Sequence, residues 1–272
     1  MKRIISAILV VALAASTSAF AQVKAKDGVY FKQAADFESS GWKSQVIVEV
    51  KGGKIVKAQW NGISNIAGAT DKKSWAASGK YGMAKAAKQG EWDKQAAAVE
   101  AYLVKTQNVN FDKFDKEGRT DAISGATIHV SEFFALVKEA LGTAPVVKGM
   151  YKKDGWYFAE QKDFDKNSGW KDSVLCTVVN GTLVDVLWSA TSVDPAKKSK
   201  IVESKEGRYG MGKVAKKGEW DVQAVAVQNA IVAAQDPSKI AIKADGTTDA
   251  VSGASIRPTA VLLAAEALKA AK

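Results

Sequence analysis

Two stretches hold the residues best suited to chemistry, T-D-A-I-S-G-A-T-I-H-V at 120–130 and T-D-A-V-S-G-A-S-I-R-P at 248–258. Each sets an aspartate (Asp121, Asp249) six residues before a hydroxyl (Thr127, Ser255). The small-sided Ser124-Gly125-Ala126 or Ser252-Gly253-Ala254 lies between them. Such residues let another molecule approach the backbone and the hydroxyl closely. The carboxylate could brace the loop or help hold a cation while the hydroxyl reacts. A helix is expected two or three residues after each hydroxyl. Its start offers unpaired N–H groups and a partial positive charge, which suit an anionic phosphate.

Ser, Thr and Asp before a helix are also ordinary N-caps. The second copy shifts the balance, because duplicated loops usually drift first. S-N-I-A-G-A-T (64–70) serves as a control. It too ends in Gly-Ala-Thr, but lacks the aspartate, and its counterpart is D-P-A-K-K (194–198). Thr70 is therefore read as a decoy.

The elements around the loops repeat as well. Trp42 matches Trp170, Trp60 matches Trp188, and Tyr81-Gly82-Met83 matches Tyr209-Gly210-Met211. Glu91-Trp92-Asp93 matches Glu219-Trp220-Asp221, all at an offset of 128. Asp27-Gly28 pairs with Asp154-Gly155 one residue out of step, at 127. Self-similarity at this period means two tandem domains, each large enough to own a core.

Alternation through Val46, Val48 and Val50, a Lys51-Gly52-Gly53 turn and a return over 54–60 predict a β-hairpin. The second copy repeats it over 174–188 around Asn180-Gly181, a strong hairpin signal. Trp92, Ala96, Val99 and Leu103 share a helical face, as do Trp220, Ala224, Val227 and Ile231. A last helix, burying Phe133, Phe134, Val137 and Leu141, is expected to begin near 130, and its partner near 258. Pro258 suits that helix's first turn. Each domain reads as α+β, an antiparallel sheet backed by helices. The expected divisions are a cleaved signal (1–21) and domains over 22–144 and 145–272, joined through G-T-A-P-V-V-K-G (142–149).

Lys2, Arg3, an apolar run over 4–15 and Ala19-Phe20-Ala21 have the form of a secretory signal, too short to span a bilayer. With no cysteine at the cleavage point, a soluble periplasmic or secreted protein is expected, with no stable membrane insertion. One cysteine, Cys176, and one histidine, His129, exclude an internal disulfide, CxxC metal sites and bis-His haem. The formal charge of +10 falls to about +8 once Lys2 and Arg3 are removed. Lysine far outnumbers arginine, which points to a solvated surface and not to a nucleic-acid platform. Attraction to acidic redox partners fits the same charge.

The Asp-x-x-Ser-Gly-Ala-Thr/Ser motif at a helix entrance, in an exported tandem domain, resembles the FMN-binding domain family of covalently flavinylated electron-transfer proteins. That resemblance implies FMN joined through its phosphate to Thr127 and to Ser255, up to two per chain. An extracytoplasmic, Mg²⁺-dependent flavin transferase would attach it, and redox donor and acceptor proteins would be the other partners. It also implies an electron carrier with no catalytic centre of its own. Tyr81-Gly82-Met83 and Tyr209-Gly210-Met211 are expected to frame the flavin ring, by stacking, close approach and soft packing. His129 and Arg257 are candidates for contact with the phosphate, and the tryptophans are assigned to the core. A reversible flavin or small-ligand binder, and an interaction module whose loops are only caps, remain open from the residues alone.

Overall fold

The computed structural model describes residues 24–272, so the expected signal lies outside the described residues. In the first domain β1 (Gly28–Gln33), β2 (Trp42–Lys51) and β3 (Lys54–Ser64) form one antiparallel sheet. In the second, β4 (Gly155–Glu160), β5 (Trp170–Val179) and β6 (Thr182–Ser192) form another. Helices α1 (Lys72–Ala77), α2 (Trp92–Thr106) and α3 (Ser131–Leu141) accompany the first sheet. Helices α4 (Lys200–Lys205), α5 (Trp220–Ala234) and α6 (Thr259–Ala267) accompany the second. The fold is α+β, two tandem homologous domains.

The hairpin turns form because their central residues tolerate positive φ. Gly52 and Gly53 sit at 59° and 69°, Asn180 and Gly181 at 50° and 73°, as a type I′ turn requires. The repeated Asp-Gly pairs now have a role. Asp27 accepts from the Gly52 and Gly53 N–H groups at 2.8 and 3.1 Å. Asp154 does the same for Asn180 and Gly181 at 2.7 and 2.8 Å. Each aspartate thus ties a first strand, not anticipated from the sequence, to its hairpin. The one-residue slip lies in the connection to the next strand. There Glu38 N–H reaches Trp42 O while Asp165 N–H reaches Trp170 O, one residue further on.

One face of each sheet packs on its helices. Val46, Val48 and Val50 meet Trp92, Val99, Phe133 and Val137 in one core; Val174, Cys176 and Val178 meet Trp220, Val227, Ile231 and Val261 in the other. Full burial of a large apolar side chain contributes about 1.5–3 kcal/mol. Burial pushes the Cys176 thiol pKa upward and leaves it inert.

The opposite sheet faces are buried as well, because the domains meet there. Ile47 and Leu175 are each 3% exposed. Gln45 is fully buried at the centre of this seam. It donates to Asp185 at 3.0 Å and accepts from Trp156 Nε1 at 2.6 Å and Thr177 Oγ1 at 3.1 Å. The connector follows the seam, with Val146 N–H on Val29 O and Gly149 N–H on Asn180 O. A Cβ on Gly149 would stand 2.1 Å from Gly181 O, so this crossing requires glycine.

Candidate functional site

Buried anchors hold the 120–130 loop down while its hydroxyl stays out. Ile123, Ala126, Ile128 and Val130 are buried; Ser124, Thr127 and His129 are exposed. Gly125 has φ +88°, and a Cβ there would lie 3.3 Å from Ala98 Cβ on α2. Gly253 repeats this with φ +87° and Ala226 Cβ at 3.4 Å. Glycine is needed at both positions for the backbone and for the close approach to the helix.

What fixes the hydroxyl is a residue that sequence reasoning missed. Gln95 is fully buried on α2. Its carboxamide oxygen accepts from Thr127 N–H at 2.8 Å and from Thr127 Oγ1 at 3.1 Å. Its nitrogen donates to Gly90 O at 3.0 Å. Gln223 repeats the arrangement on Ser255, at 2.7 and 3.1 Å, and on Gly218 O at 3.0 Å. A neutral amide oxygen is too weak a base to take the hydroxyl proton. It aims the O–H inward and leaves the oxygen lone pairs facing out. The signal was present in the sequence: a glutamine set twice into the apolar register beside Trp92 and Ala96.

Other expectations need correction. Asp121 and Asp249 are exposed, and neither bonds to its hydroxyl; Asp249 pairs with Lys243 at 2.6 Å. Helices α3 and α6 start at Ser131 and Thr259. The hydroxyls therefore stand four residues before them, not two or three, and Pro258 is an N-cap instead of a first-turn residue. At the start of α3 the Val130 and Ser131 N–H groups both donate to Gly118 O, at 2.7 and 3.1 Å. Thr70 Oγ1 donates locally to Asp71 O at 3.3 Å, and the loop before it reaches the second domain, where Asn65 O accepts from Ser199 Oγ.

Beside Thr127 opens a cavity of about 500 Å³, lined by Trp60, Lys72, Tyr81, Met83, Trp92 and Arg119 among others. Its counterpart, about 360 Å³, is lined by Trp188, Lys200, Tyr209, Trp220, Ile256 and Arg257 among others. Ser255 stands one residue outside that lining, and Met211 packs on the core instead of facing the cavity. Gly82 and Gly210, at φ +75° and +78°, do not line the cavities; they start the 3₁₀ turns Met83–Lys85 and Met211–Lys213. The Glu91 carboxylate holds the first turn through Met83 and Ala84 N–H, at 3.2 and 3.0 Å. Glu219 does so through Met211 and Gly212 N–H, at 3.2 and 3.0 Å. These contacts account for the glutamate of the repeated Glu-Trp-Asp.

The tryptophans are buried as expected, yet they also face the cavities. Trp60 and Trp92 meet edge to face at 5.1 Å, Trp188 and Trp220 at 5.0 Å. Between the rings lies a buried lysine that the sequence reading also missed. Lys72 Nζ is 4.5 Å from the Trp92 ring, 5.5 Å from Tyr81 and 5.7 Å from Trp42. Lys200 Nζ is 4.8 Å from Trp220, 5.3 Å from Tyr209 and 5.8 Å from Trp170. Both are first residues of capped helices, with Asp71 accepting from Ser74 N–H and Ser199 from Val202 N–H. Burial lowers the pKa of both ammonium groups. The ring faces offset part of that cost, about 2 kcal/mol for a desolvated cation–π contact.

The donor set fits a flat, heteroaromatic, phosphate-bearing group. Cavities of this size and apolarity suit small cofactors, and one arginine, Arg119 or Arg257, lines each. Trp188 Nε1 is a buried donor without a partner among the described residues. Arg119 Nη2 lies 3.4 Å from His129 Nε2, so the two gather beside Thr127. Among the described residues no three metal-ligating side chains cluster, and no helix is long and apolar enough to cross a membrane.

No family model matches the chain, and no curated protein matches it. Two solved structures are similar in part. One is the solution NMR structure of a protein from Clostridium thermocellum, 48% identical, covering 43% of this chain and 90% of that one, with a TM-score of 0.34. The other is the crystal structure of a protein from Clostridium perfringens, 23% identical, covering 44% of this chain and 88% of that one, with a TM-score of 0.33. Each match spans less than half of this chain.

Proposed function

We propose that this protein is an exported, soluble electron carrier bearing one FMN per domain, esterified through phosphate to Thr127 and Ser255. One observation carries the reading: each exposed hydroxyl is held by a buried glutamine beside an aromatic cavity, in both copies of the motif. FMN supplies reversible redox chemistry when bound, and the protein supplies orientation, stacking and electrostatics. Trp60, Tyr81, Met83 and Trp92 would enclose the ring at the first site. Arg119 and His129 would face the phosphate there, and Arg257 at the second. A covalent tether prevents loss of the cofactor by dilution outside the cell.

The protein would be the substrate of a Mg²⁺-dependent flavin transferase and not itself an enzyme. Asp121 and Asp249, solvent-facing and six residues before the hydroxyls, would meet that partner's cation, Asp249 by leaving its pair with Lys243. Donor and acceptor would be membrane-bound or periplasmic redox proteins, to whose acidic surfaces the basic chain is suited.

The test is intact mass after co-expression in an exporting host, with and without an active transferase. Two FMN-phosphoryl units are expected, one lost in Thr127→Ala and the other in Ser255→Ala. An unchanged mass alongside an active transferase overturns the covalent reading. Yellow colour lost on denaturation would then establish a reversible flavin binder, and no colour at all an interaction module.

A further inference from the structure

The two sites are built from the same parts but distribute charge differently. Both cavities hold a caged lysine, an exposed arginine at the rim and one carboxylate from the strand-connecting loop, Glu38 or Asp165. The second carboxylate is what moves. In the second domain it is Asp172, on the strand, 3.8 Å from Lys200 Nζ with both side chains 9% exposed. In the first domain Ser44 occupies that strand position, and the carboxylate is Glu132 on α3, where the second domain has Ala260.

Glu132 accepts from Ser44 Oγ at 2.5 Å and, with Glu38, shares the cavity with Lys72 without pairing with it. Among the described residues no carboxylate oxygen lies within 4.0 Å of Lys72 Nζ. Burial, with the neighbouring Glu38, pushes Glu132 upward, so this pair keeps a proton to higher pH. A positive charge beside a group that gains electrons favours its reduced state. A carboxylate in contact with that charge cancels most of the effect at short range.

We propose that the two sites form an ordered pair, in which the first domain is the stronger electron acceptor because Glu38 and Glu132 act on Lys72 only from beyond contact distance, whereas Asp172 lies in contact with Lys200 and offsets its charge. This rests on the flavin reading above. Two electrons and one proton leave the reduced cofactor of the second domain and enter the oxidised cofactor of the first. One is oxidised as the other is reduced, and no other reactant is consumed. Electrons therefore enter most readily through the second domain and collect in the first. The exposed arginines do not set this order, because each site has one and solvent screens both.

The experiment measures the midpoint potential of each flavin alone, the first in Ser255→Ala and the second in Thr127→Ala. At equilibrium the first site is expected to hold the electron pair at least tenfold more favourably, a gap of about 30 mV for a two-electron couple. Asp172→Ser, which leaves Lys200 without a carboxylate in contact as Lys72 is, should close that gap, and Ser44→Asp should narrow it from the other side. Equal or inverted potentials in flavin-bearing protein, or a gap unmoved by Asp172→Ser, overturn the proposal. A second readout needs no flavin: NMR titration of the lysine side chains should place Lys200 above Lys72. Coincident titrations would show that the charge asymmetry itself is missing. If instead the lysines titrate as expected but no flavin attaches, it is the flavin reading that fails.

Discussion

The two sites differ least where they hold the hydroxyl and most where they hold charge. Gln95 and Gln223 grip Thr127 and Ser255 with hydrogen bonds that agree to within 0.1 Å. By contrast Ser44 has become Asp172, Glu132 has become Ala260, and the direction of the strand–helix hydrogen bond has reversed. Ser44 donates from the strand to Glu132, whereas Thr259 donates from the helix to Asp172. Even the deep indole responds: Trp60 Nε1 donates to Ser44 Oγ at 3.4 Å, while Trp188 Nε1 has no partner among the described residues. The geometry around the hydroxyl is the same in both domains and the electrostatic surroundings are not. The shared part therefore belongs to a step common to both domains, and the variable part to a property in which they differ.

The largest way to break the shared part is to remove the glutamine. Gln95→Leu keeps the size of the side chain but leaves Thr127 N–H, Thr127 Oγ1 and Gly90 O without a buried partner. Stability of the first domain should fall by about 2 kcal/mol, within the 1–3 kcal/mol typical of unsatisfied buried polar groups. Flavin attachment at Thr127 should drop sharply while Ser255 is modified normally. Denaturant unfolding and intact mass of Gln95→Leu, alone for Ser255 and combined with Ser255→Ala for Thr127, read these effects. Full attachment there would mean that the hydroxyl finds its orientation without the amide.

The seam offers a change that touches neither site directly. Burial pushes Asp185 up to about 6, opposed first by Lys43 and then by hydrogen bonds from Gln45 and Gln33. Lys43 is itself lowered by burial, with Asp185 opposing. A carboxyl whose folded pKa exceeds its unfolded value of about 3.9 binds an extra proton in the folded state between those limits. Its contribution is full below about pH 4 and is lost as pH rises to about 6, a fall of about 3 kcal/mol. Asp185→Asn should flatten that slope in urea unfolding measured from pH 4 to 7. If it also erased the difference between the two flavin potentials, the asymmetry would be a property of the seam and not of Asp172 and Ser44.

Much of the scaffold was legible because it obeys simple periodicities. The hairpins, the Trp-Ala-Val-Leu helix face and the last helices all follow from alternation, Asn-Gly or Gly-Gly turns and helical spacing. The first strands were not, because β1 and β4 are short and only partly buried, so apolar alternation is blurred. The loops were legible as small residues bracketing a hydroxyl, but not their partners. Lys72 looked like one more surface lysine, and nothing local distinguishes a lysine in a ring cage from one in water. Nor could strand alternation reveal a second buried face, since Gln45 and Thr177 read as solvent-facing until the other domain covers them.

The mildest test concerns the acceptors themselves. Ser255 is exposed and already fixed through its backbone N–H by Gln223, so Ser255→Thr adds a methyl that meets solvent and restricts χ1. Stability should change by less than about 0.5 kcal/mol, as for surface positions generally. If the side chain alone separates the two acceptors, attachment in the second domain should speed up by about the few-fold that one restricted torsion can supply. A time course of intact mass in the Thr127→Ala background reads this. No change would place the difference in the cavity instead, about 360 Å³ against about 500 Å³, with Ser255 one residue beyond its lining.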